Sequence, residues 1–354
     1  MGRPDVTRSF FRNSIILFFL CSTFSYAAQT NNLNTIAASH RHVHDMAAAH
    51  QQSISKGLAV ARMEGAHTTG QLVAKCTKDS CKNKPDKTGV WVQPLGLIVR
   101  QKNNGSTPGF KSRTGALLVG VDSKIKEGLI LGGALGYGSA VMSFNLNAGK
   151  SHVYDSFLTL FGTWFGDIWY TEASLLGGLQ KYRVARNTGT NNLFVFNHHR
   201  GYQISPHLGG GYIFSRREYQ LRPYATADYA YSSQTGHLDT GPGAPSIYIE
   251  KSDSSMLRLE GGFNLSKKSD HEKFYSKLSL QLAVVNKRPL KRGSIIASNG
   301  LTYQTTKKAA TAFSPGLEAF LSFDDGYSLS AFWVGEYATQ YTQQEIFIKF
   351  RKTL

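Results

Sequence analysis

From Gly89 to the end of the chain, apolar and small or polar residues alternate with a period of two. In MLRLEGGFNL, Leu257, Leu259, Gly261, Phe263 and Leu265 fall on one face, and Arg258, Glu260, Gly262 and Asn264 on the other. That split is the signature of a strand, whose successive side chains point to opposite sides. It recurs in FYSKLSLQLAVV, where Phe274, Leu278, Leu280, Leu282 and Val284 oppose Lys277, Ser279 and Gln281. In LRPYATADYAY, Leu221, Ala225, Ala227, Tyr229 and Tyr231 oppose Arg222, Thr226 and Asp228. About twelve such runs follow one another between residues 89 and 351.

A soluble sandwich would turn its apolar face inward and carry charge outside. Here the second face is mostly Gly, Ala and Ser with scattered charges. The pattern suits an inverted arrangement, with an apolar exterior in lipid and a small or polar interior. The fold class expected is therefore all-β: a transmembrane antiparallel β-barrel of about twelve strands. Tight turns such as FGDI and FDDGY alternate with long loops such as SQTGHLDTGPGAPS, the asymmetry of an outer-membrane barrel with short periplasmic turns and long external loops. Trp91, Tyr137, Phe144, Trp164, Trp169, Tyr231, Tyr327 and Tyr337 lie near strand ends and are expected to form the interfacial aromatic girdles.

The stretch GALLVGVDSKIKEGLILGGALGYGSA sharpens this reading. Leu117, Val119, Val121, Leu129, Leu131 and Leu135 would face lipid, and Gly120, Gly132, Ala134, Gly136 and Gly138 the lumen. The missing side chains would leave room for something to lie inside. GGALGYG is no dinucleotide-binding fingerprint, since no helix follows it and its spacing differs.

The first 88 residues are different. Arg3, Arg8 and Arg12 precede the apolar run SIILFFLCSTF, which ends at SYAAQT, so residues 1–27 read as a secretory signal peptide. The run is shorter than the roughly 20 residues of a spanning helix. Residues 28–88 form a short N-terminal segment, helix-compatible over about 35–64 through Ile36, Val43, Met46, Ile54 and Leu58, then a polar linker. The linker carries Cys76 and Cys81, which an oxidising compartment would join as a disulfide; metal ligation is the alternative, with only His67 nearby. HRHVH places His40 and His44 on one helical face, a metal-like spacing without a completing carboxylate or thiolate, so a solvated helix surface or a lumen contact is preferred. Asn31 and Asn32 read as part of a flexible terminus.

Composition adds a little. The 354 residues include 35 Gly, 17 Tyr and 21 Phe, with only 18% charged, against about 25% in ordinary globular chains. The net charge of +17 contains no long basic run. Pairs recur instead, as at Arg216 and Arg217 or Lys267 and Lys268, beside apolar runs where they could meet lipid phosphates. A nucleic-acid partner is not expected, because only the charge favours it and the signal peptide opposes it. No GxSxG elbow is found and no triad can be assembled from the loop Ser, His and Asp residues, so no enzyme activity and no cofactor or metal is expected. The charged lumen candidates are Glu172, Arg222, Asp228, Arg258, Glu260, Lys277, Glu318 and Glu336. Two readings stay open for them: mutual ion pairing inside the wall, or contact with an inserted helix or a translocating chain.

Several motifs in order resemble the autotransporter β-domain family, the translocator of type V secretion. GVWVQPLG is similar to its first strand, FKSRTGALLVGVDSKIKEGLILGGALGYGSA to its second and third, and FLTLFGTWFGDIWYTEASLLGGLQKYRVAR to the next hairpin. LRPYATADYAY and LRLEGGFNLS are similar to later strands, so the resemblance spans residues 89–354. It implies an outer-membrane barrel that moves or anchors a passenger at the surface of a Gram-negative-type cell. It also implies lipid, the outer-membrane assembly machinery and periplasmic chaperones as partners, a monomer, and a helix within the lumen, for which residues 35–64 are the candidate. Family members usually end on an aromatic residue; here the alternating Ile346, Ile348 and Phe350 are the assembly-signal candidates, with Phe350 four residues from the end. Only about sixty residues lie between the signal peptide and the first strand, too few for a stacked-repeat passenger. A stand-alone porin-like channel or surface adhesin with a short N-terminal plug is the alternative.

Overall fold

The computed structural model describes residues 88–354, apart from 104–108, 188–193, 243, 272, 292–293, 297–301 and 305–308. The signal peptide, the helix expected over 35–64 with His40 and His44 on it, and Cys76 and Cys81 lie outside the described residues.

Twelve long strands form the wall: β1 (Thr88–Gln101), β2 (Phe110–Lys126), β3 (Leu129–Phe144), β4 (Gly149–Phe165), β5 (Trp169–Asn187), β6 (Phe194–Tyr212), β8 (Tyr219–Gln234), β11 (Ser252–Asp270), β12 (Phe274–Lys291), β15 (Ala310–Phe323), β16 (Tyr327–Tyr337) and β17 (Tyr341–Thr353). Five short pieces sit in the connections: β7 (Phe214–Arg216), β9 (His237–Gly241), β10 (Ala244–Ile249), β13 (Ser294–Ile296) and β14 (Thr302–Gln304). Every wall strand pairs antiparallel with its sequence neighbour, and β1 pairs with β17, which closes the sheet and leaves the wall no free edge.

Both ends of the barrel sequence meet at one rim, where the Leu354 amide donates to the Thr88 carbonyl at 2.8 Å. Short turns lie at this rim; Gly128, at φ 77°, lets the chain reverse between Lys126 and Leu129. The β9–β10 and β13–β14 hairpins lie at the far rim.

The strands are staggered. Starting at Arg100 near the far end of β1 and stepping from partner to partner through β17, β16, β15, β12, β11, β8, β6, β5, β4 and β3, one arrives at Lys126, at the near end of β2. One circuit thus crosses the full height of the wall, the tilt that closure imposes.

Alternation decides what each strand shows to either side. Leu117, Val119, Val121, Leu131 and Leu135 are exposed on the outer surface, as the pattern predicts, and Leu129 is half-buried. Outward apolar side chains continue around the whole wall, from Leu158 and Leu175 to Leu278, Leu317 and Ile346. A water-soluble domain would not present so continuous an apolar surface; lipid demands it.

Of the girdle candidates, Tyr137, Trp164, Tyr327 and Tyr337 are exposed and Trp169 and Tyr231 half-buried, with Trp164 and Trp169 edge to face at 5.5 Å. Trp91 and Phe144 correct the expectation, being buried at 4% and 6% exposure. Both occupy inward positions in the alternation, Trp91 sharing its parity with the buried Gln93 and Leu95.

Candidate functional site

The inward residues of the wall converge on the lumen, and all eight charged candidates are buried there. Arg258 on β11 is the hub. Its Nη1 donates to Asp228 on β8 at 3.1 Å, and its Nη2 to Glu260 at 2.5 Å and to Glu336 on β16 at 2.8 Å. Arg258 and Glu260 stand two apart on one strand, so alternation turns both inward. Glu336 is reached also by Lys287 Nζ at 2.8 Å and by the Tyr341 hydroxyl at 2.5 Å. Glu260 accepts from the Tyr224 hydroxyl at 2.5 Å and from Gln281 at 3.1 Å.

On its other side Asp228 meets His207 Nδ1 at 2.6 Å, and His207 Nε2 lies 3.5 Å from Glu172. A continuous run of opposite charges therefore joins six strands, from Glu172 through His207, Asp228, Arg258 and Glu336 to Lys287. A second group holds the remaining candidates: Lys277 donates to Glu318 at 2.8 Å, with Arg222 3.9 Å from the same carboxylate. Burying an isolated charge is costly, and mutual pairing is how such groups are tolerated out of bulk water. Within the described wall, Glu172 has its nearest cation in His207 and every other candidate has an opposite charge within 4 Å.

The sequence places Gln281 on the inward face of its strand but gives it no role, and His207, Tyr224 and Lys287 are not among the lumen candidates. All three show the inward parity that marked the others, and a systematic parity count would have found them.

Two further buried pairs stand at the rims. Near the termini, Arg351 on β17 reaches over β1 to Asp122 on β2, at 2.7 Å. At the far rim Arg186 on β5 pairs with Asp239 on β9, which also accepts from Asn197 at 2.6 Å. Beside that pair, His199 is stacked between Tyr182 (centroids 4.5 Å apart) and His237 (4.1 Å). The β9–β10 hairpin is thus fastened to the inner wall of β5 and β6. Burial and the Arg186 charge push the His237 imidazole down to about 4; Asp239 lies 3.7 Å away but is already engaged by Arg186 and Asn197.

The wall of β1–β4 is built differently. Gly120 lies directly across from Trp91, Gly132 from Phe161 and Gly136 from Phe157, and in each case the ring covers the glycine closely enough that an added Cβ would overlap it. Gly138 faces Ala116 and Asp155. The first three glycines therefore do not leave open space: this chain's own aromatic rings fill it. The hydroxyls of Thr159, Thr163, Ser314 and Ser330 also point inward, buried and without a hydrogen-bond partner among the described residues.

Ile346, Ile348 and Phe350 sit on the outer face of β17, 56%, 37% and 50% exposed, along the seam with β1, where Val92 pairs with Phe350 and Gly96 with Ile346.

A closed barrel with a greasy outside and a charged, self-paired inside is a membrane barrel of the outer-membrane type. The chain belongs to the autotransporter β-domain family: residues 90–332 match the family model for the autotransporter beta-domain. It is an outer-membrane translocator barrel, the domain by which such proteins move or anchor a passenger at the cell surface. Among solved structures it is similar to the translocator domain of the autotransporter NalP from Neisseria meningitidis (20% identity, TM-score 0.63, covering 84% of this chain and 97% of that one). It also resembles the beta domain of the Bordetella autotransporter BrkA (16%, TM-score 0.60, 76% and 100%) and the transport unit of AIDA-I from Escherichia coli (12%, TM-score 0.55, 82% and 98%). A search of curated proteins by sequence gave no significant match.

Proposed function

We propose that the barrel anchors the chain in the outer membrane and holds the chain's own short N-terminal segment, residues 28–87, in its lumen after export led by residues 1–27. It performs no covalent chemistry. The observation that carries this reading is the division of the lumen wall. Its two charge networks pair oppositely charged side chains of the wall itself, while buried hydroxyls of Thr159, Thr163, Ser314 and Ser330 have no hydrogen-bond partner among the described residues. Such a surface repels neither sign of charge and offers short-range hydrogen bonds to a peptide backbone. Lipid at the outer wall, chaperones in the periplasm and the assembly machinery at the β1–β17 seam are the partners, with a monomer as the working unit.

The test is conductance in planar lipid bilayers. Deleting residues 28–87 is expected to raise single-channel conductance; unchanged conductance would count against lumen occupancy by that segment and favour the porin-like alternative. Heat-modifiable migration on a denaturing gel, recovered from the outer-membrane fraction, checks the barrel separately.

A further inference from the structure

The outer surface of β1–β6 carries a feature that the translocator role does not use. Beyond the apolar band, toward the rim with the long loops, the outward positions turn basic: Arg100 on β1, Lys111 and Arg113 on β2, Lys181 and Arg183 on β5, Arg200 on β6. Pairing brings them together, with Arg100 across from Lys111 and Lys181 across from Arg200.

They also share one depth. Because the strands tilt, depth is counted along each strand from the rim that holds the termini, and Arg100, Arg113, Lys181 and Arg200 each lie about a dozen residues from Thr88, Lys126, Trp169 and Tyr212. A dozen residues at about 3.3 Å, tilted by about 40°, rise roughly 30 Å, just past an apolar band about 25 Å tall. On β5 that band runs from the edge-to-face Trp169 through Leu175 to the 71%-exposed Leu179, and Lys181 is the next outward residue.

Six cations side by side should repel one another unless something anionic joins them. Among the described residues no exposed carboxylate of β1–β6 lies at this depth, and none of the six forms a salt bridge; Glu127 and Asp167 are in turns at the opposite rim. Arg183 lies over the Tyr154 ring, 5.5 Å from its centroid, its guanidinium held at the surface. Beyond the β1–β17 seam the outward positions at similar depth are uncharged, Thr342 on β17 and Tyr337 on β16, and Arg288 on β12 is a single cation among apolar and polar neighbours, so the basic positions are concentrated on β1–β6.

We infer that this arc binds phosphate-bearing lipid headgroups of the outer leaflet. The inference rests on the outer-membrane reading, which sets the long-loop rim outside. A phosphorylated glycolipid fits better than a soluble polyanion, because the cations border the apolar band and one ligand must satisfy both. Arginine's fork supplies paired donors to phosphate oxygens, and acyl chains lie along Leu158, Leu179 and Ile204.

The test titrates the detergent-solubilised full chain with diphosphoryl lipid A, and with the dephosphorylated glycolipid, in mixed micelles. Three proteins are compared: wild type, an arc variant (Arg113→Gln, Lys181→Gln, Arg183→Gln) and a periplasmic-rim variant (Lys124→Gln, Lys126→Gln, Lys267→Gln). Each is first shown to migrate heat-modifiably, and Lys181→Gln alone replaces the arc variant if that one does not fold. The arc variant is expected to bind the phosphorylated lipid at least about tenfold more weakly, since each surface cation contributes about a factor of five, while the rim variant binds as wild type does. Equal weakening in both variants, undiminished binding in the arc variant, equal binding of the dephosphorylated glycolipid, or equally tight binding of heparin would each overturn the inference. Loss of heat-modifiable migration in wild type would instead overturn the barrel reading beneath it.

Discussion

Phe157 on β4 lies directly across from Gly136 on β3, and its ring occupies the space that a side chain at Gly136 would need. The pair is a lock of one large and one absent side chain, repeated with Phe161 over Gly132 and Trp91 over Gly120.

Replacing Gly136 by alanine is therefore expected to destabilise the barrel by about 1–3 kcal/mol, the usual cost of overpacking. Gly177 and Gly261 face outward with nothing within 4 Å of an added Cβ. Gly177→Ala and Gly261→Ala should be neutral, or stabilising by about 0.4–1 kcal/mol through the unfolded chain. Urea titration of the folded band in lipid vesicles checks both; equal loss at Gly136 and Gly177 would refute the lock.

Arg258 holds three buried carboxylates together, and Arg258→Met leaves Asp228, Glu260 and Glu336 without their shared cation. Breaking a buried ion network from one side costs about 3–5 kcal/mol. The variant should lower the urea midpoint sharply, and adding Glu336→Gln to it should recover part of the loss. A double-mutant cycle showing simple additivity would contradict the coupling.

The far-rim hairpin should respond to acid. His237 titrates near 4 when docked and near 6.5 when released, because burial and Arg186 disfavour its cation. Between those values the released state binds more protons, so the docked state loses stability as pH falls from about 6.5 to about 4 and has its full contribution above 6.5. Limited proteolysis within β9–β10 should accelerate over that window in wild type and not in His237→Phe. A rate independent of pH would discard the latch.

The seam can be tested at Asp122. Asp122→Asn weakens its bond to Arg351, and the expected outcome is slower conversion from the unfolded to the folded band in vesicles, by severalfold, with a smaller effect on unfolding. Unchanged assembly kinetics would show that the pair forms late and carries no part of closure.

Strand number, the lipid-facing leucines and the inward charges were legible from alternation, since a period of two assigns a face wherever one side is apolar. Which inward residues meet was not legible. Arg258 and Glu336 are 78 residues apart, and Arg351 and Asp122 are 229 apart; tilt and stagger bring them together, and neither is written in any local stretch. The glycines misled for the same reason. Their lack of side chains was visible, but the rings that cover them come from the adjacent strand. Trp91 and Phe144 were placed by residue type, when their parity already pointed inward.

The hydrogen bond from Leu354 to Thr88 and the pairing of β1 with β17 put the highest contact order of the molecule at one line. Loop-closure entropy must be met there over nearly the whole barrel sequence before any contact repays it, which makes this step slow. Until the last strand arrives, β1 presents an unpaired backbone edge in a medium that cannot hydrate it. The closing of this wall is thus a docking event between two ends of one chain, and its rate belongs to whatever holds those ends side by side.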